Sequence, residues 1–286
     1  IVASPDSLVI IDYPDAVDTR CQGVNNCGQV VGQYEDTDGR IHGFLYDRGI
    51  FTTIDFPGSL DTNASSINDY GQIVGTYDGT HGFLYDDEEF YSIDVPEALE
   101  TRCWCINNRG QIVGIFNGSS GASYGFLYDN GLFTIIDNPD GPNTKAYGIN
   151  NRGHIVGRYT YEDIGYGFLF NRKDFSGFGV PGATGSGTLA WGINNCNMIV
   201  GTYWNNDGGH LFLYYNGLLT SFDIQEALNT FGRDINNSNQ IVGFFSDVDT
   251  NIHHGFLTKA WWWWFLSYGD TVYPSISLQR DTNTLK

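Results

Sequence analysis

The string Ile106-Asn107-Asn108-Arg109-Gly110-Gln111-Ile112-Val113-Gly114 constrains the chain most, because the sequence writes it six times. Copies begin at Val24, Ile67, Ile106, Ile149, Ile193 and Ile235, with successive starts 43, 39, 43, 44 and 42 residues apart. Asn and Gly tolerate positive φ, and Gln-Ile-Val favours extended backbone, so each copy reads as a turn flanked by strands. A period near 42 residues, all strand and turn, suits one four-stranded propeller blade.

Three further features recur in the same phase. A Thr stands five residues before each turn, at Thr19, Thr62, Thr101, Thr144, Thr188 and Thr230. Gly-Phe-Leu-Tyr recurs from Gly43, Gly82, Gly125 and Gly167, in altered form at Leu211, and again from Gly255. Phe-Thr-Thr-Ile-Asp-x-Pro recurs at 51–57, 90–96 and 133–139, and in weaker form at 8–14, 178–181 and 219–224. The order within a unit is strand A from the Thr, strand B as Gly-Gln-Ile-Val-Gly-x-Tyr, strand C as Gly-Phe-Leu-Tyr, then strand D. Four antiparallel strands make one blade, with strand A innermost along a channel and the B–C loops most variable.

The sixth unit ends at strand C, Gly255 to Thr258, and its missing strand D stands at the opposite terminus as residues 8–14. An N-terminal strand completing the last blade would close the ring without an open edge. The expectation is an all-β, six-bladed propeller over residues 1–258, followed by a Trp-rich extension over 259–286.

The strings together resemble the HAF repeat family of bacterial extracellular proteins, across about residues 8 to 258. The fifth unit departs furthest, with Asn197-Met198 in place of Gly-Gln. The resemblance implies a secreted or surface repeat protein and brings no catalytic residues. The strings match neither the Trp-Asp signature of WD40 repeats nor the double glycine of kelch repeats.

With 33 acidic against 14 basic residues, the formal charge of −19 disfavours nucleic acid and anionic membranes as partners and favours cations. The chain starts at Ile1 without a charged, apolar leader, so it reads as processed or partial. Cys21, Cys27, Cys103, Cys105 and Cys196 show no zinc spacing, and one bridge, Cys21 to Cys27, is conceivable across a hairpin.

Histidine is the first suspect for catalysis, yet His42, His81, His210 and His254 share one repeat position before strand C, which marks them as architectural. Asp12, Asp55, Asp94, Asp137 and Asp223 recur likewise and read as turn caps. His154 and His253 are out of phase, without a partner that the sequence places. Two B–C loops carry oxygen ligands at alternate positions, Asp36 with Asp38, and Asp247 with Asp249 and Asn251, and are candidate calcium loops. Sequons occur at Asn63, Asn117 and Asn236.

Beyond the repeats, Trp261, Trp262, Trp263, Trp264, Phe265 and Leu266 form an apolar run too short to span a membrane. Four consecutive Trp cannot share one face of a strand, so at least two are wet unless a second surface covers them, and the readings are packing on the propeller's own rim, docking on a neighbouring molecule, or stacking on sugar. The leading expectation is therefore a non-catalytic extracellular structural or adhesion module that associates with itself through its tail. A lectin using Tyr and Trp in interblade pockets, including Trp104 and Trp191, is the alternative. A propeller hydrolase or lyase would need acids such as Glu35, Asp36, Glu162 and Asp163 to converge.

Overall fold

The computed structural model describes residues 8–259, apart from 120, 140, 142 and 186, together with a two-residue strand, Ser275–Ile276. Strand and turn account for all its regular structure, in six antiparallel four-stranded sheets. Blade 1 comprises Asp18–Val24, Val30–Glu35, Ile41–Asp47 and Ile50–Ile54, in that spatial order. The innermost strands of blades 2 to 6 are Thr62–Ile67, Glu100–Ile106, Lys145–Ile149, Thr188–Ile193 and Ala227–Ile235. Each touches the next, and the last touches that of blade 1, so the sheets stand in a closed circle. In blade 6 the outer position is taken by Val9–Ile11, paired antiparallel with His253–Lys259 in the register Val9↔Leu257 and Ile11↔Gly255. Ser275–Ile276 lies parallel to the outer strand of blade 5, Leu218–Ile224.

The core lies between blades, in six equivalent clusters, and one residue of each strand C dominates it. Phe44, Phe83, Phe126, Phe168, Phe212 and Phe256 are fully buried. Each such ring is worth roughly 1.5–3 kcal/mol by removal from water. The ring lies across the glycine of strand B: a Cβ on Gly114 would stand 2.7 Å from Phe126 and 2.0 Å from the carbonyl of Arg102. Hence Ile-Val-Gly recurs where a bulkier residue would separate strands A and B.

The buried Thr opening strand A has a defined task. Its Oγ1 accepts the backbone N–H of the residue six or eight positions earlier, at 2.8–3.0 Å in all six blades, as in Phe56 to Thr62 and Val180 to Thr188. The turn-capping role expected of the repeated Asp thus belongs to the Thr. Four of the five Asp instead pair with the histidine of strand C, His42 with Asp55 and His210 with Asp223 at 2.8 Å, His254 with Asp12 at 2.9 Å, and His81 with Asp94 at 3.1 Å, while Asp137 accepts the Thr144 hydroxyl at 3.2 Å. Burial disfavours a charged His42, yet Asp55 and Asp36 outweigh it and raise its pKa.

No disulfide links Cys21 to Cys27: both are free, Cys21 buried and Cys27 exposed. Cys21 faces the blade 6–blade 1 core, where its sulfur would lie 2.6 Å from a Cβ at Gly255, whereas Cys27 sits in the turn.

Candidate functional site

The Asn-Asn turns face one another around one end of the central channel. Positive φ falls on the glycine of the turn, as at Gly28, Gly71, Gly110 and Gly153, or on Asn197 and Asn239 where the glycine is replaced. The paired asparagines are absent from the left-handed region and do other work. In blade 3, Asn107 Oδ1 accepts the amides of Arg109 and Gln111 at 2.9 and 3.1 Å, and its Nδ2 donates to the Asn150 carbonyl of the next blade at 3.0 Å.

The same Nδ2-to-carbonyl bond runs from Asn25 to Asn68, Asn68 to Asn107, Asn150 to Asn194, Asn194 to Asn236 and Asn236 back to Asn25. The second asparagines close another circle, each backbone N–H donating to the following side chain, with Asp69 as the exception to Asn. Burial opposes charge on Asp69, but hydrogen bonds from Asn108 and Asn26 hold its pKa below the usual carboxylate value. Two directional rings therefore lock this end, around an open depression of about 60 Å³.

Strand A carries a feature that the repeat pattern hides. In every blade its register against strand B slips by one residue, between Cys21 and Gly23, Ala64 and Ser66, Cys103 and Cys105, Ala146 and Gly148, Ala190 and Gly192, and Gly232 and Asp234. A bulge frees one residue from the ladder and re-aims its side chain. Here the freed residues are Gln22, Ser65, Trp104, Tyr147, Trp191 and Arg233, and all six line the middle of the channel. Trp191 lies 4.1 Å from Tyr147 and 5.4 Å from Trp104 between ring centroids, and the Arg233 guanidinium stacks over Trp191 at 4.0 Å. These side chains leave a cavity of about 20 Å³, room for a water molecule or so. Trp104 and Trp191 thus meet at the ring centre, not in separate interblade pockets.

Two positions earlier on strand A, farther from the Asn turns, stand Arg20, Asn63, Arg102, Lys145, Leu189 and Phe231. Arg20 is paired with Asp18 at 2.8 Å, and Arg102 with Glu100. Lys145 lies directly opposite Arg158 in the A–B register and has no carboxylate within ion-pair distance among the described residues. Burial, then Arg158 and Arg102, lower the Lys145 pKa, against a smaller pull from Glu100. Burial raises the Tyr147 hydroxyl to about 12, opposed by the nearby Arg158, Arg233 and Arg102. Burial also brings Arg233 down to about 10. Five of the 14 Lys and Arg residues thus gather at this channel in a chain of net charge −19.

The other sequence-derived candidates lie apart from this channel. Asp36 Oδ1 accepts the amides of Asp38 and Arg40, both at 2.9 Å, and its Oδ2 meets His42. Asp247 Oδ1 accepts Asp249 and Thr250 amides, while Asn251 adopts positive φ in the same turn. No cluster of three or more His, Cys, Asp or Glu side chains able to hold a metal is present among the described residues. Glu35 and Asp36 belong to blade 1, and Glu162 and Asp163 to a hairpin of blade 4, half a ring away. His253 finds Asp18 at 2.7 Å across the blade 6–blade 1 junction, and His154 finds Asn197 Oδ1 at 2.9 Å. Trp261, Trp262, Trp263, Trp264, Phe265 and Leu266 lie outside the described residues. No helix among the described residues is long and apolar enough to cross a membrane.

No family model and no curated protein sequence matches the chain. Among solved structures it is similar to AofleA from Arthrobotrys oligospora, with 12% identity, 91% of this chain and 90% of that one covered, and a TM-score of 0.58. It is also similar to virginiamycin B lyase from Staphylococcus aureus with quinupristin, at 12% identity, 88% and 99% coverage and a TM-score of 0.53. The Aleuria aurantia lectin in complex with Fucα1-6GlcNAc aligns at 11% identity over 85% of this chain and 96% of that one, with a TM-score of 0.50. At such identities the likeness concerns the fold alone: an all-β propeller.

Proposed function

We propose that the protein is a non-catalytic extracellular interaction module, a rigid six-bladed disc that recognises carbohydrate at the channel end remote from the Asn turns. One observation carries this reading. The Thr, Phe and first-Asn rings repeat a single residue type in all six blades, whereas the bulge position is different in kind around the ring: Gln22, Ser65, Trp104, Tyr147, Trp191 and Arg233. Side chains released from pairing and no longer equivalent can present a directional surface, and aromatic rings beside polar groups suit a sugar's apolar and hydroxylated faces. That propeller neighbours include a lectin is consistent with it. The extracellular setting rests on the resemblance to HAF repeats.

A glycan array probed with the full chain tests the proposal. Selective binding, weakened at least tenfold by Trp191→Ala, is expected; a flat array rejects it.

The tail belongs to the same reading as a connector between copies. The outer strand of blade 5 takes up a short parallel strand, an edge of the kind that a neighbouring copy's tail would use. Light scattering of the full chain against residues 1–258 decides this role, since equal monomeric sizes remove it. Calcium in the loops of Asp36 and Asp247 would give a melting temperature that falls under EDTA; an unchanged value removes the ion. The N-terminal strand fastens the ring in this account. Ile11→Ala, which empties a fully buried site, should cost about 2–5 kcal/mol. Val9→Ala, at a site 46% exposed, should cost far less.

A further inference from the structure

We propose that the ligand of the channel mouth is an acidic saccharide, its carboxylate held by Lys145 and Arg158 with Arg233 behind them. This deepens the carbohydrate reading above and rests on it.

Like charges directly opposite in an antiparallel pair are destabilising. Lys145 and Arg158 are such a pair, partly buried, with the Arg102 charge nearby. In a chain of net charge −19 a neutral or acidic residue would be cheaper at either position. Among the described residues the carboxylates beside these cations are spoken for, Glu100 by Arg102 and Asp18 by Arg20 and His253.

Hydrogen-bond donors are in surplus as well. Arg158 Nε, Arg233 Nε and Nη1, and Trp104 Nε1 are buried with no hydrogen-bond partner among the described residues. The one unmatched acceptor of this region that cannot also donate is Asn63 Oδ1, and the Ser65 hydroxyl is unpaired too. Buried polar groups are rarely left so, and several donors converging with uncompensated positive charge call for an oxyanion. The cavity at the bulge ring, about 20 Å³ and lined by Trp104 and Arg233, is far too small for a sugar, so the occupant sits outside it against Lys145 and Arg158, and Arg233 acts on it through its charge and not through a hydrogen bond.

Isothermal titration calorimetry on the full chain tests this with three probes: tetragalacturonate, the same tetramer with its carboxylates methyl-esterified, and tetraglutamate. The acid tetramer should bind, more weakly as salt rises, and the ester at least tenfold less well. Arg158→Gln and Lys145→Gln should each lose about tenfold or more, while Arg48→Gln, an exposed loop arginine, should match the parent. Arg158→Gln should also melt no lower than the parent, since it relieves a repulsive contact.

Equal binding of acid and ester, or unaltered binding by Arg158→Gln, overturns the anion assignment and leaves the carbohydrate reading to the array. Tetraglutamate binding as tightly as the saccharide overturns the sugar assignment. A clearly lowered melting temperature for Arg158→Gln would make that arginine a structural residue and overturn the proposal as well, as would failure of either tetramer to bind the parent.

Discussion

The two ends of the channel are built from the same strands by opposite rules. At the Asn turns every blade contributes nearly the same residues, and the side-chain amide of every first asparagine accepts within its own turn and donates to the next blade. From the bulge ring to the far end the six contributions differ, cations outnumber their partners and buried donors lack acceptors among the described residues. Uniformity marks what holds the ring, because a closed circle needs the same junction six times. Departure from uniformity, at a cost in electrostatics, marks the region to which the proposed binding is assigned.

The contrast makes buried polar residues at the two ends unequal in worth. Asn107→Ala removes a side chain that accepts two amides and donates to a carbonyl in the next blade, and should cost on the order of 3 kcal/mol, read from the urea midpoint. A loss below about 1 kcal/mol would show that the circle of amides holds nothing.

Next in size is a pH effect at Asp234, which stands where the other blades have Gly, Ser or Cys. Burial raises its pKa to about 6, although it accepts the amides of Val24 and Ile235. A carboxyl with a raised folded pKa binds its proton more tightly folded than unfolded, so stability should fall between about pH 4 and pH 6. The His254–Asp12 pair continues that trend. Its hydrogen bond to Asp12, against burial, raises the histidine's folded pKa, so its contribution is complete below about pH 6.5 and lost as pH rises through the folded value. Asp234→Asn should reduce the slope from pH 4 to 6, leaving the part due to Asp223, whose pKa burial also raises, and the decline above it, in thermal melts across about pH 4 to 8. An unchanged slope would place the titrating group elsewhere.

The smallest effect is expected at the bulge ring. Ser65 is as buried as Asn107 but its hydroxyl has no hydrogen-bond partner among the described residues, so Ser65→Ala should shift stability by no more than about 0.5 kcal/mol. A larger loss would erase the distinction between the two ends.

Much of the frame could be read before any coordinates. Phe, Leu and Val strings in phase set out the strands, and the histidines before strand C were legible as architecture because a residue repeated around a ring has a repeated reason. The Asn-Asn pair misleads, since Asn followed by Gly suggests a left-handed backbone and its actual task, bonding the next blade, joins residues some 43 positions apart. Asp18 and His253, 235 positions apart, are neighbours only because the circle closes. The bulge was invisible for a different reason: when every unit carries the same extra residue, aligned repeats show no insertion. Comparing the repeats column by column would have exposed it, because the position two before each Ile or Val is the one that runs Gln, Ser, Trp, Tyr, Trp, Arg.

That column has an evolutionary corollary. A residue outside the strand ladder answers to little besides its neighbours in the bore, so each blade writes one character of a six-character word without respelling the blade. Chains sharing these amide circles and Phe layers, but carrying another word, would keep the wheel and change what it grips.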